Sequence, residues 1–533
     1  MLKNLSLKEL TPNLSNPGPQ KIPTEMQKYG EFFFQKEARY MFQLAIKNST
    51  HFQNILLAGQ REATAKEFVF RLISPETALI YEPMPSFSSL CGFLSHKKWN
   101  SGAIERADKK ILMVSTRPFL QDPELLSFFK TCIQEQGVYP AWLPDSTQSI
   151  RRHLQALAVS FRVFFIGEFY EIDQLQRLDP SIAELFPMRI NLQEEESLNS
   201  RTLANFSNYL EQLGKSFGLK LSWEAKKAII EYNLFLHENR ESFSLDFWQE
   251  KLLLKEVCSL FPQKSRINHE EIDKSIANIQ ARSDKYKKKY HKSIVNKASY
   301  TNLRGSKIGL INGLSVVSYH TPLQEHGQIN PISARVSNGS GSLISIEREA
   351  NLSGDLHDRG VFILQNYLKG LFVNLDTIGF DVSLAFEQNH TLIDGDSASI
   401  AELLAILSAL ANLAIPSNIA VTGALSQYGD ALPIGSVGLK IAGFVEVSHL
   451  VRRSDKTVYR LYVPKMNEKD ILLTKQARDF LQAGKLQILS YTHIVDLIPE
   501  VFQVPAGKMT KYGKYPSNSL FGIIEERYER KKD

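Results

Sequence analysis

Ser397 and Lys440 are the two side chains whose type and setting could carry covalent chemistry. Ser397 lies among small residues, Gly395, Asp396, Ala398 and Ser399, at the start of an apolar run. In that run Ile400, Leu403, Leu404, Leu407, Leu410 and Ala411 recur at helical spacing, so one helix face is bound for a core. A serine at a helix N-terminus has unpaired backbone N–H groups beside it, which can stabilise a developing oxyanion. Its hydroxyl still needs a base. A buried lysine can serve, because desolvation penalises the ammonium and lowers the pKa by up to about 3 to 5 units. The plainer reading keeps Ser397 as an ordinary N-cap and Lys440 as a solvated lysine at a helix start.

The wider pattern favours the chemical reading. Ser397 sits in Asp394-Gly395-Asp396-Ser397-Ala398-Ser399 and Lys440 ends Pro433-Ile434-Gly435-Ser436-Val437-Gly438-Leu439-Lys440, with AVTG (420–423) between them. These residues resemble the proteolytic domain of the Lon protease family, whose Ser-Lys dyad lies in a D-G-x-S-A-x turn and a P-I-G-x-V-x-x-K turn. INGLSV (311–316), ISIEREANLSGDLHDRGVFIL (344–364), LAFEQ (384–388) and DGDSASIAELLAILSAL extend the resemblance toward Lon-related proteases with a degenerate ATPase-like region. It is dense over 305–507 and looser before that.

The resemblance implies Ser397 as nucleophile, Lys440 as base and Thr422 as the threonine that hydrogen-bonds the lysine. Asp394, three residues before Ser397, reads as a residue that either orients the turn or occludes the site in a resting state. His357 reads either as a group near substrate or as a surface partner of its acidic neighbours. The implied protein is a serine endopeptidase acting on loosely folded polypeptides, assembled as a homo-oligomer, with a hexameric ring as the family arrangement.

Upstream, residues 54–73 read as a strand, a turn after Gly59 and a helix, which is the order of a phosphate-binding loop. Such a loop needs G-x-x-x-x-G-K-[ST]: glycines so that backbone N–H groups reach the phosphates, Lys for their charge, Ser/Thr for magnesium. Here the last three positions hold Thr64, Ala65 and Lys66, and the next strand (109–120) offers Ser115 and Thr116 where an acidic end is needed. The expectation is a degenerate AAA+-like lobe with no ATP or magnesium cofactor, Lys66 being the residue left for any nucleotide contact.

These elements set the organisation: an extended lead-in at 1–28 holding Pro12, Pro17, Pro19 and Pro23, a degenerate AAA+-like α/β domain at 29–197, a helical subdomain at 198–290, a basic linker at 291–304, a Lon-type α+β proteolytic domain at 305–507 and a frayed C-terminal tail at 508–533. Within them, 32–48 and 360–372 read as amphipathic helices, Ser222 as an N-cap, 161–170 as a strand, and 309–319 and 341–354 as strand-like alternations.

The chain of 533 residues is too long for one core, and 43% hydrophobic with 23% charged residues is a globular composition. Cys91, Cys132 and Cys258 are few and scattered, which suits reduced thiols in a cytoplasmic protein and offers no zinc spacing. No apolar run is long enough to span a bilayer, and the first twenty residues lack a signal-peptide pattern. Net charge is +6, concentrated at KYKKKYHK (285–292) with Lys297, Arg304 and Lys307, which reads as a solvated linker or, alternatively, as a nucleic-acid contact in a non-catalytic or latent protein. A second enzyme reading, an α/β-hydrolase elbow at Ser397 with Asp470 and His493 downstream, lacks the elbow's last glycine and leaves Lys440 unexplained.

Overall fold

Five short apolar runs in the first half of the chain become a parallel sheet. β1 (Ile55–Gly59), β2 (Leu79–Glu82), β3 (Ile111–Ser115), β4 (Arg162–Glu168) and β5 (Met188–Asn191) lie in the order β5-β1-β4-β3-β2, each neighbouring pair parallel. β1 and β3 are buried along their whole length, as strands covered on both faces must be. Alternate residues feed two cores. Leu56, Val114 and Phe165 pack with Phe119 and Phe129 on one face, and Ile55, Leu57 and Phe164 pack with Phe42 and Phe68 on the other. The covering helices include α1 (Lys36–Lys47), α2 (Glu62–Leu72), α3 (Pro123–Gln134), α4 (Phe169–Leu178) and α5 (Ser200–Ser216). The helix read at 32–48 is α1 preceded by a 3-10 turn at Gly30–Phe33; Asn48 lies outside the described residues.

In this computed structural model the chain divides into two compact units, one of residues 17–220 with 244–252, the other of 1–16, 221–243 and 253–533. It describes residues 2–18, 21–47, 54–74, 77–96, 98–318, 325–339, 341–372, 380–389, 391–451 and 457–529. The helical stretch 198–290 falls in both units.

The second unit opens with α6 (Trp223–His237), for which the Ser222 side chain caps the Ala225 N–H at 3.1 Å, and with α7 (Lys285–Val295). Its sheet is built from β6 (Leu310–Val317), β7 (His326–Asn338), β8 (Leu343–Ser345), then, after α8 (Asp355–Leu371), β9 (Phe380–Phe386). α9 (Ser399–Ala411) leads to β10 (Ile419–Val421), and α10 (Val437–Val451) to β11 (Tyr459–Pro464) and β12 (Leu486–Tyr491). α11 (Ile494–Phe502) and α12 (Leu520–Glu529) follow. With the short strand Lys3–Asn4 at its edge, the eight-stranded order is Lys3–Asn4, β12, β11, β10, β6, β7, β9, β8. The mixed α/β architecture agrees with the reading of the sequence.

α9 is buried on every side, with Ile400, Leu403, Leu404, Leu407 and Leu410 all at 0% exposure, which makes it the axle of the larger core rather than an amphipathic surface helix. α10 lies on β7 through two glycines. A Cβ on Gly443 would fall 2.3 Å from Gly327 C, and one on Gly327 would fall 2.1 Å from Leu439 O.

Three expectations are corrected. The lead-in 1–28 contains elements: Lys3–Asn4 pairs antiparallel with β12, a helix at Leu7–Leu10 carries a Ser6–Glu9 capping box, and another runs Thr24–Tyr29. Leu5, Leu10 and Leu14 are buried there, which its prolines do not prevent because they fall between the elements; Pro19 lies outside the described residues. The stretch 341–354 is strand only at β8 and then turns into a short helix, Ile346–Glu349. The tail 508–533 holds α12, whose Leu520, Phe521, Ile524 and Tyr528 are buried in the core with α9, so charged neighbours hid an apolar face; residues 530–533 lie outside the described ones.

Candidate active site

Three loops at the ends of these elements bring Ser397, Thr422 and Lys440 together. Ser397 sits in the turn between β9 and α9, two residues before the helix begins. Thr422 directly follows β10, and its N–H donates to Tyr462 O on β11 at 3.1 Å. Lys440 stands in the first turn of α10, where its N–H donates to Ser436 O at 3.0 Å. Ser436 adopts φ +58, a left-handed conformation that turns the chain sharply into the helix.

Lys440 Nζ lies 2.9 Å from Ser397 Oγ and 3.5 Å from Thr422 Oγ1. Thr422 Oγ1 in turn donates to Ser397 O at 3.2 Å, and Gly423 N–H donates to the same carbonyl at 2.8 Å. Tyr491 O–H donates to Thr422 O at 2.8 Å, fixing that loop from β12. The Ser397 and Ala398 N–H groups donate to no acceptor among the described residues outside helices and strands, so they are free to receive an anion.

Lys440 is 4% exposed. Burial brings its pKa down to about 8, against the pull of Glu238 and Asp396, whose negative charges favour the ammonium. Glu238 is held in place by accepting the Ser436 N–H at 2.8 Å. A serine hydroxyl beside a lysine that is partly neutral near neutral pH is the arrangement a nucleophile and its base require.

Asp394 does not touch Ser397 or Lys440. Its Oδ1 accepts the N–H of Gly395 at 2.8 Å and of Leu356 at 3.2 Å, so it ties the turn to the first turn of α8. His357 is buried behind the site at 2% exposure, with Nδ1 3.7 Å from Glu402 Oε1 on α9. Glu402 was not singled out in the sequence; a glutamate inside a run of leucines, isoleucines and alanines is the signal that could have found it. Asp470 accepts from Asn467 Nδ2 at 2.7 Å and His493 Nε2 lies 2.8 Å from Tyr428 O; neither is bonded to Ser397.

Of the basic stretch, Lys287 pairs with Glu446 at 2.7 Å, Lys307 Nζ donates to Tyr300 O–H at 2.7 Å and Arg304 donates to Val451 O. In the first unit, the turn after Gly59 is filled by its own side chains. Arg61 is paired with Asp246 and lies over the Trp248 ring at 4.9 Å. Glu62 opens α2, accepting from Ser115 Oγ at 2.7 Å and from Tyr81 O–H at 3.3 Å, while Lys66 Nζ rests 4.9 Å over the Tyr81 ring. Among the described residues no helix is long and apolar enough to cross a membrane.

Comparison with known proteins adds to this geometry. Residues 306–503 match the Lon protease (S16) C-terminal proteolytic domain, and residues 76–193 match the LonB-like AAA domain. The chain is 26% identical over 438 residues to a protein of Haemophilus influenzae named "Putative Lon protease homolog", covering 81% of this chain and 71% of that one. A protein of the same name from Escherichia coli is 26% identical over 408 residues, 75% of this chain and 67% of its own. An archaeal Lon protease of Thermoplasma volcanium is 30% identical over 214 residues, 39% of this chain and 30% of its own. Matched in both halves, the chain combines a LonB-like AAA domain with a Lon-type C-terminal proteolytic domain.

Proposed function

We propose that this Lon-like protease is a serine endopeptidase that cuts loosely folded polypeptides with Ser397 and Lys440 and does so without hydrolysing ATP. The observation that carries the reading is the 2.9 Å approach of a buried Lys440 Nζ to Ser397 Oγ. Neutral Lys440 takes the Ser397 proton as Oγ bonds to the scissile carbonyl carbon. The carbonyl oxygen becomes an oxyanion facing the Ser397 and Ala398 N–H groups. Lys440 then delivers the proton to the leaving amine as the C–N bond breaks, and an acyl-enzyme remains. Water, deprotonated by the same amine, releases the acyl group and restores Ser397. Thr422 holds the lysine in place.

The contacts at the phosphate-loop position support independence from ATP. A polyphosphate there needs N–H groups, a free lysine and magnesium ligands. Glu62 instead puts a carboxylate at the start of α2, and Lys66 is stacked on Tyr81. These residues do not fit ATP-magnesium, and no step is routed through it. In the same reading the protein works as a homo-oligomer, with the hexamer implied by the family.

The test compares wild type with Ser397→Ala and Lys440→Ala on a fluorescent unfolded protein, with and without ATP and magnesium. Cleavage by wild type alone, at the same rate in both conditions, is the expected result. Stimulation by ATP overturns the reading of Glu62 and Lys66, and cleavage by Ser397→Ala overturns the nucleophile. Sedimentation velocity checks the oligomer.

A further inference from the structure

Glu402, His357 and Glu347 are deeply buried acid and imidazole groups that the mechanism does not use, at 1%, 2% and 4% exposure. They come from three elements: α9, the first turn of α8, and the short helix Ile346–Glu349. Glu347 Oε1 accepts the Phe386 N–H of β9 at 2.8 Å. Among the described residues, Glu402 Oε1, His357 Nε2, Glu347 Oε2 and the neighbouring Ser345 Oγ are buried with no hydrogen-bond partner, an uncommon concentration for one region of a fold. The 3.7 Å between His357 Nδ1 and Glu402 Oε1 is too long for a hydrogen bond and close enough for a small rotation to make one.

The groups facing this cluster are acidic from every side. Glu347 and Asp396 face Glu402, Asp358 and Asp394 face His357, and Glu387 faces Glu347. The basic side chains beside it are engaged elsewhere: Arg359 is turned to Asp396 at 3.4 Å, and Arg348, next to Glu347, to Glu349 at 3.3 Å. Burial first, and these charges second, push Glu402 up to about 8, while burial pushes the His357 imidazole below its ordinary value. Around neutral pH Glu402 therefore keeps its proton as a carboxylic acid, and His357 beside it favours the neutral imidazole.

The first turn of α8 connects this pair to the nucleophile. Besides carrying His357, it receives Asp394 at the Leu356 N–H and Asp396 at Arg359. A Cβ on Gly354 would meet Asp394 Cγ at 2.6 Å, and one on Gly360 would meet Asp396 Cβ at 3.0 Å. The same helical turn thus grips the Asp394-Gly395-Asp396 segment in front of Ser397 and Glu402 behind it.

We propose that His357, Glu402 and Glu347 are positioning residues: the proton on Glu402 lets α8 stay packed against α9, and its loss buries a carboxylate among acidic neighbours, drives the two helices apart and carries Ser397 Oγ away from Lys440 Nζ. The inference rests on the dyad reading above for its kinetic consequence. Cleavage rises with pH as Lys440 loses its proton and falls again as the cluster loses its own, so the alkaline limb belongs to Glu402 and not to the dyad.

The test measures kcat and KM of the full-length protein from pH 6 to 10 for wild type and Glu402→Gln, which keeps the shape and a fixed donor. The expected result is that the glutamine variant retains the ascending limb and loses the descending one, at least a threefold higher kcat relative to wild type at pH 9.5 with KM unchanged. An identical descending limb in both proteins overturns the proposal, as does a wild type with none. A second arm does not depend on cleavage. In the Ser397→Ala background, a carboxyl raised on folding contributes stability that is complete below about pH 4.5 and is lost as pH rises through about 8. The urea midpoint of Ser397→Ala is expected to fall over pH 5 to 9 more than that of Ser397→Ala/Glu402→Gln. Equal falls overturn the cluster even if the enzyme cleaves, and a difference upholds it even if no cleavage is seen.

Discussion

Replacing Glu238 with glutamine removes the charge that acts most strongly on Lys440 while keeping an oxygen to accept the Ser436 N–H. With the lysine at about 8, about one molecule in eleven has it neutral at pH 7 and half at pH 8. At an effective dielectric of about 20, a carboxylate within roughly 10 Å contributes about 1.5 kcal/mol, or about one pKa unit. Its removal takes Lys440 to about 7, and the neutral fraction at pH 7 rises about fivefold. The assay is kcat/KM on a fluorescent unfolded protein between pH 6 and 9, with Lys440→Arg as the blank. The expected outcome is an ascending limb displaced toward lower pH by about one unit, with a rate gain of about fivefold at pH 7 that vanishes by pH 9. Superimposable limbs, or a wild-type limb centred near an ordinary lysine value, would refute the claim that burial and Glu238 together set the base.

Lys440 also sets a cost in stability. Its pKa falls on folding from 10.5 to about 8, so its stabilising contribution is present above about pH 10.5 and lost as pH falls through about 8, a penalty of about 3 kcal/mol at pH 7. In the Ser397→Ala background, Lys440→Met is expected to raise urea stability by up to about 3 kcal/mol at pH 7 and by much less at pH 10.5; a gap that does not change with pH counts against it. Tyr491→Phe removes the O–H that holds Thr422 O, which costs about 1 to 2 kcal/mol of stability, and kinetics should show kcat reduced with KM unchanged. Gly443→Ala forces a Cβ onto the Gly327 backbone; separating α10 from β7 costs more than about 2 kcal/mol in urea titrations and abolishes cleavage, and a normal enzyme would mean that the two backbones can part without moving Lys440.

What the sequence reveals of this site depends on how far apart its parts lie. The turns around Ser397 and Lys440 are local patterns of glycine, proline and small residues, and such patterns are legible because each turn geometry demands them. The α9 stripe, the Ser222 cap and the apolar strand β4 are legible for the same reason, since periodicity and capping act within a few residues. The pairing of His357 with Glu402 has no local signature, and nothing in SGDLHDRG says that the histidine turns inward to an acid on another helix. Lys3–Asn4 has no legible signature because two residues cannot show alternation, and α12 has none because its charged residues dominate a short run. In both cases a partner far along the chain decides the structure, which is what a single window cannot contain.

The edge strand at Lys3–Asn4 has a consequence for synthesis. Its partners are Ser490 and Leu489, far along the chain. At roughly 5 to 20 residues per second on the ribosome, those partners emerge on the order of half a minute to a minute and a half later. Until then Leu5, Leu10 and Leu14 have no completed core to enter, while the parallel-sheet unit of 17–220 with 244–252 is synthesised well before β12 and can fold on its own timetable. The segment around Leu5, Leu10 and Leu14 must stay sheltered until β12 has been made, and a chaperone that holds it would bridge that wait.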